Sequence, residues 1–207
     1  MITQLVLATG NEKKLREFER LIGPLGIELL PQSAFGVPEA PEPHPTFLEN
    51  ALAKARHAAR LTGLPALADD SGLCVDALEG APGVNSAYYA GPQKSDAENN
   101  RKLIAALAHL DRTADRRAHY TAVLVLVRSA EDPEPIVAEG RWFGHIGFAA
   151  RGSGGFGYDP WFVDTPSGLT GAEMTLEQKN AVSHRSKALR RLVAMLRERE
   201  MEGTESA

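Results

Sequence analysis

Cysteine is all but missing: Cys74 is the single one in 207 residues. With no second thiol, no internal disulfide can form and no thiolate cage can hold a metal, which points to a reducing compartment and makes the cytoplasm the expected location. Long hydrophobic runs are also missing. The first apolar stretch, Leu5-Val6-Leu7-Ala8, has no basic region before it and stops at Thr9-Gly10-Asn11, so it reads as neither a signal peptide nor a membrane span. Nor is there a broad basic field, since the formal net charge is −4. That balance argues against nucleic acid as a partner, because duplex binders depend on many phosphate contacts, but it leaves room for small anions at local clusters. No internal repeat is visible. What the chain does have is 43% hydrophobic residues, ample for a core that needs no staples. Between Leu73 and Val75, Cys74 reads as a buried strand residue.

Periodicity supplies the elements. Residues 2–8 read as a buried strand, the turn Thr9-Gly10-Asn11 ends it, and Leu15, Phe18 and Ile22 then recur at helical spacing. Ile27 to Leu30 suits a second strand. The stretch from Pro31 to Pro45 holds five prolines and is expected as a surface loop. Thr46 and Glu49 fit a capping box that opens a helix with Leu48, Ala51, Leu52, Ala55 and Ala59 inward. Leu64 to Ala68 is a short apolar run, after which Asp69-Asp70 is expected where the strand meets a bend at Ser71-Gly72. Ser95 with Glu98 opens another helix, with Leu103, Ala106, Leu107 and Leu110 inward, and His119 to Arg128 has the β-branched, apolar character of a central strand. A pair of strands is expected at Ile136-Val137-Ala138 and Arg141-Trp142-Phe143. A glycine-rich loop and a helical C-terminal part follow, with Thr175 and Ser183 as starts and Leu189, Leu192, Val193 and Leu196 as the buried stripe. Residues 1–197 are expected to form one α/β domain with a mixed sheet, and 198–207 a frayed tail.

Four groups of residues carry chemistry. Asp69 and Asp70 crowd two carboxylates together, an arrangement that a divalent cation or a phosphate-bearing substrate relieves; an ordinary Asp-Asp-Ser-Gly turn is the bland alternative. Thr9-Gly10-Asn11-Glu12-Lys13-Lys14 joins a strand end to a helix N-terminus, where backbone N–H groups and lysines suit an oligophosphate. Only Gly10 is present there, so this is no multi-glycine phosphate loop; Asn11 as a plain N-cap accounts for it equally well. Gly152-Ser153-Gly154-Gly155-Phe156-Gly157-Tyr158-Asp159-Pro160 contains G-x-G-x-x-G, but no helix follows it, and the dinucleotide reading fails. An aromatic in a pliable loop suits stacking on a base instead, or else a core aromatic in a hairpin. Finally, Lys179 and Ser183-His184-Arg185 present mostly donors, which favour the keto oxygen of hypoxanthine or xanthine over the amino group of adenine. Lys54, one turn beyond Asn50, is either another phosphate ligand or an exposed helix lysine.

Taken together, Ala8-Thr9-Gly10-Asn11 with Lys14, Thr46-Phe47-x-Glu49-Asn50-Ala51 with Lys54, Ala68-Asp69-Asp70-Ser71-Gly72-Leu73, Gly155-Phe156-Gly157-Tyr158-Asp159-Pro160, and Lys179 with Ser183-His184-Arg185 resemble the inosine/xanthosine triphosphate pyrophosphatase family, also called Ham1-like or RdgB-like. The resemblance spans about residues 2 to 196. It implies an elongated two-lobed domain on a central mixed sheet flanked by helices, a homodimer, and magnesium-dependent hydrolysis of ITP, dITP and XTP to the monophosphate and pyrophosphate. By the same resemblance Thr9, Gly10, Asn11, Glu12, Lys13 and Lys14 would bind the triphosphate, and Glu49 and Asp70 would hold magnesium. Asp70 would also accept the proton of the attacking water. Ser71, Phe156, Gly157, Tyr158, Asp159, Lys179, His184 and Arg185 would complete the nucleotide site. The chain departs from many relatives at Tyr88, where they carry Arg. A non-catalytic nucleotide sensor and a pyrophosphatase for modified pyrimidine nucleotides are the alternatives.

Overall fold

The computed structural model describes residues 2–10 and 12–205. Strands β1 (Gln4–Leu7), β2 (Glu28–Pro31), β3 (Ala66–Val75), β4 (Arg117–Val127), β5 (Ile136–Ile146) and β6 (Phe162–Asp164) form one mixed sheet in the order β2-β1-β3-β4-β5-β6. β1 runs parallel to β2 and β3, and β5 antiparallel to β6. Helices α1 (Glu12–Ile22), α2 (Phe47–Thr62), α3 (Asp96–Ala106), α4 (Leu176–Val182) and α5 (His184–Glu205) complete the regular elements. The chain divides into two compact units, one of Met1–Asp70, Val123–Glu139 and Ala188–Ala207, the other of Ser71–Ala122 and Gly140–Lys187.

The core of the first unit is built from small residues. Ala51, Ala55, Ala58 and Ala59 of α2 pack against Val6, Ala66, Ala68, Val123 and Val125. With no long side chains on that helix face, α2 can lie close to the strands, and this is what brings its polar first turns near the end of β1 and the middle of β3. Leu48, expected on the buried face, is instead 41% exposed, because the stripe runs through Ala58 rather than back through the first turn.

The core of the second unit is aromatic. Tyr120, Trp142 and Phe162 meet with Phe162 edge-on to both others at centroid distances of 4.8 Å, and Trp142 Nε1 donates to Asp164 at 2.8 Å. Leu73, Val75, Leu103, Leu107 and Tyr158 fill the rest.

Three expectations fail on sheet geometry. Ser71-Gly72 does not bend the chain: β3 passes through Asp69-Asp70-Ser71-Gly72 as one ten-residue strand. Ladder hydrogen bonds outweigh the local turn preference of Ser and Gly there. The expected strand pair after residue 135 is one strand, β5, because Ile136, Ala138, Gly140, Trp142, Gly144 and Ile146 keep a period of two across the glycines. Cys74 is only half-buried, since Leu73 and Val75 on either side take the core face and turn it to the other.

Candidate active site

Alternation along β3 decides what its two acids meet. Successive strand residues face opposite ways, and the aspartates accordingly pair with different lysines. Asp69 Oδ2 lies 2.6 Å from Lys14 Nζ of α1, and Asp70 Oδ1 2.8 Å from Lys54 Nζ of α2. Lys54 also donates to the Asp69 carbonyl at 2.9 Å and to Glu42 Oε1 at 2.8 Å. An ammonium has three protons, and here all three are used. Asn50, buried one turn earlier on α2, exchanges hydrogen bonds with the His44 backbone at 3.0 and 3.1 Å and sets its amide 3.5 Å from Asp70 Oδ2. The proline-rich segment is thereby tied to the acids through His44 and Glu42.

Burial pushes the Asp70 carboxyl above the usual carboxylate range; the Lys54 charge opposes this, and Glu42 and Asp69 add to it. Burial works against the charge of Lys54, but Asp70 and Glu42 outweigh it and hold the ammonium above its ordinary value. The result is a charged lysine held against a carboxyl whose affinity for a proton is raised.

Glu49 stands at the third position of α2. Thr46 caps the helix by accepting the Glu49 N–H at 3.2 Å, and its hydroxyl donates to Glu49 Oε2 at 2.5 Å. The expected capping box is therefore half formed, leaving an exposed carboxylate at the helix start. Thr9 and Gly10 follow the end of β1, and a Cβ on Gly10 would lie 2.8 Å from Glu39 Oε1, so the backbone there runs tight against that side chain. Asn11 lies outside the described residues, as do the side chains of Glu12 and Lys13.

In the second unit, Asp159 organises the glycine-rich loop. Its Oδ2 accepts the Phe156 N–H at 2.8 Å and the Lys179 ammonium at 2.5 Å, and that ammonium sits 5.3 Å from the centre of the Phe156 ring. Phe156 remains 42% exposed, its ring open to solvent. Tyr158 turns the other way: its ring is buried in the aromatic core and its hydroxyl donates to the Ser86 carbonyl at 2.8 Å. His184 and Arg185 open α5 and are both buried. The His184 imidazole stacks on Tyr120 at 4.8 Å, and Arg185 Nη2 donates to Ser71 Oγ at 3.2 Å. Lys179, one turn before Ser183, closes α4 onto it, the Ser183 N–H donating to the Lys179 carbonyl at 2.8 Å.

Comparison with known proteins decides the family. The Ham1 family model matches residues 5–195. The chain belongs to the Ham1 family. It is 59% identical over 196 residues to the dITP/XTP pyrophosphatase of Aromatoleum aromaticum, covering 95% of this chain and 98% of that one. Against the dITP/XTP pyrophosphatase of Ralstonia nicotianae it is 59% identical over 197 residues, with 94% and 96% covered. Among solved structures, a HAM1 protein from Coxiella burnetii superposes with a TM-score of 0.90 at 46% identity, over 96% of this chain and 100% of that one.

For this Ham1-family chain, the sequence pattern brought Asp69, Asp70, Lys14 and Lys54 into view but not which lysine meets which acid. Glu42 and Asn50 complete the lysine-carboxylate cluster; Glu42 carries no local signal in its proline-rich loop, and Asn50 stands in the Thr46-Phe47-x-Glu49-Asn50-Ala51 motif without any sign of its role. Its burial at 1% exposure is the feature that marks it out.

Proposed function

We propose that this chain hydrolyses non-standard purine nucleoside triphosphates, dITP, XTP and ITP, to the monophosphate and pyrophosphate. The 59% identity to two dITP/XTP pyrophosphatases over nearly the whole chain carries the reading, and the lysine-carboxylate cluster of the first unit supports it.

Asp70 takes a proton from the attacking water. As the water oxygen bonds to the α-phosphorus, the bond from that phosphorus to the bridging oxygen breaks, and pyrophosphate departs in line with the electron pair. The proton on Asp70 then passes to solvent. Lys14 and Lys54 balance charge that grows on phosphate oxygens in the transition state. Thr9, Gly10 and the residues through Lys14 hold the triphosphate. Phe156 stacks on the base, Lys179 and Asp159 keep its loop in place, and Ser71, His184 and Arg185 supply the polar groups that read a keto purine.

Magnesium fits the donor chemistry: Glu49 and Asp70 offer hard carboxylate oxygens, one of them buried and penalised for its charge. Among the described residues no group of three or more His, Cys, Asp or Glu could hold a metal alone. Magnesium commonly relies on one or two carboxylates and completes its shell with water and substrate phosphate. When bound, it supplies Lewis-acid charge and lowers the pKa of the water. Family membership also supports a homodimer working in the cytoplasm. Among the described residues, no helix is long and apolar enough to cross a membrane.

The test is a panel of nucleoside triphosphates with and without magnesium, quantifying monophosphate and pyrophosphate. dITP and XTP should be cleaved to those two products, ahead of the common nucleotides and of modified pyrimidines. Release of orthophosphate, or binding without turnover, would overturn the reading. Asp70→Asn, which keeps shape and removes the base, should lower kcat by at least about 100-fold.

A further inference from the structure

The first turn of α3 grips one residue of the glycine-rich loop by both ends of its backbone. Asp96 Oδ2 accepts the Gly157 N–H at 2.7 Å, and Asn100 Nδ2 donates to the Gly157 carbonyl at 2.9 Å. The second proton of that amide goes to the Asp96 carbonyl at 2.8 Å, so the Asn100 donor group is fully spent on the bracket. Capping does not explain the arrangement, because Ser95 already accepts the Glu98 N–H at the helix start. Nor is it a local turn, since Asp96 and Gly157 are 61 positions apart in the chain.

From within the loop, Asp159 fixes the N–H of Phe156. The backbone on both sides of Phe156 is thus restrained while its ring stays exposed. Gly155 and Gly157 both have positive φ, +75° and +62°, in a stretch whose glycines would otherwise leave the chain with wide freedom. Ordering such a loop when a ligand arrives costs conformational entropy that a clamp in the free protein removes beforehand.

We infer that Asp96 and Asn100 are positioning residues: they hold the Phe156 ring ready for the purine without touching substrate, and so set KM for the non-standard nucleotide. The inference rests on the reading that Phe156 stacks on the base.

The experiment compares the parent with Asp96→Ala, Asp96→Asn, Phe156→Ala and the double variant Asp96→Ala/Phe156→Ala, measuring kcat and KM for dITP with magnesium. Hydrogen exchange of the segment 153–160 is followed in parallel. Asp96→Ala should raise KM about five- to tenfold and leave kcat within about twofold, the signature of lost uniform binding. Asp96→Asn keeps a carbonyl acceptor and should recover most of the loss. The double variant should be no worse in KM than Phe156→Ala, and exchange should quicken in the loop. The positioning role fails if Phe156→Ala raises KM and Asp96→Ala does not, or if the two effects add. If Phe156→Ala leaves KM unchanged, the stacking reading falls and takes this one with it. Should Asp96→Ala not fold, Asn100→Asp sets a carboxylate against the Gly157 carbonyl and should raise KM in the same Phe156-dependent way.

Discussion

Lys54 has the most to lose by substitution. Its side chain is 11% exposed and that of Asp70 9%, so Lys54→Met would strand a buried carboxylate between Glu42 and Asp69. Removing one member of a buried pair costs about 3–5 kcal/mol. The urea midpoint should fall accordingly, and turnover with it. Adding Asp70→Asn to that variant should return part of the stability, because the orphaned charge goes with it; strict additivity in the cycle would show that the pair is not coupled. The sequence names this lysine through its spacing from Asn50, yet an exposed helix lysine and a buried triple donor look alike in a sequence. What separates them is Glu42 and the Asp69 carbonyl, 12 and 15 positions away. Tyr158 shows the converse. As part of the aromatic loop motif it is grouped with Phe156, but one ring faces solvent and the other fills the core.

At the scale of elements, helix starts are the most legible feature. Thr175 and Gln178 form a complete capping box, with the Thr175 N–H donating to Gln178 at 2.9 Å and Thr175 accepting the Gln178 N–H at 3.2 Å. Thr175→Ala should cost about 1 kcal/mol in a melting experiment. Ser95 and Glu98 form only half a box, since Glu98 turns to Arg101. Strand positions are less legible, because neighbouring strands rather than local sequence decide them. Gly144 on β5 pairs with Asp164 on β6, and a Cβ there would lie 2.1 Å from the Val163 carbonyl. That is backbone and cannot swing away, so Gly144→Ala should destabilise by about 1–3 kcal/mol or more. Gly157 has open space around it, so an Ala there meets only the strain of a positive φ. Beyond the reach of β6, Lys187 donates to the Arg141 carbonyl at 3.0 Å and Arg191 to the Glu139 carbonyl at 2.6 Å. These basic side chains of α5 occupy acceptors that would otherwise invite another strand.

For the molecule as a whole, pH acts through carboxylates in both units. Asp132 accepts the Arg128 guanidinium and the backbone N–H groups of Arg128 and Glu134, which hold it well below the usual carboxylate range. Burial works against the charge of Asp164, but hydrogen bonds from Ser167 and Trp142 outweigh it and lower its pKa too. A depressed folded-state pKa gives stability that is fully present above the unfolded value and is lost as pH falls through the folded one. Denaturation midpoints should therefore drop below about pH 4, where the unfolded chain begins to take up protons. Asp132→Asn should cost about 1–3 kcal/mol at pH 7, and the gap to the parent should narrow as the medium is acidified; a constant gap would show that the Asp132 charge plays no part.

The sequence by itself determined the helices, their caps, the mixed α/β class and the set of motifs that marks the Ham1 family, because each rests on residues within a few positions of one another. Only the tertiary structure decided that β3 runs straight through its two acids, that each acid meets its own lysine, and that α3 holds the Phe156 loop. Those outcomes depend on sheet ladders and side-chain pairs between distant segments, where the free energy comes from whichever partner the fold delivers.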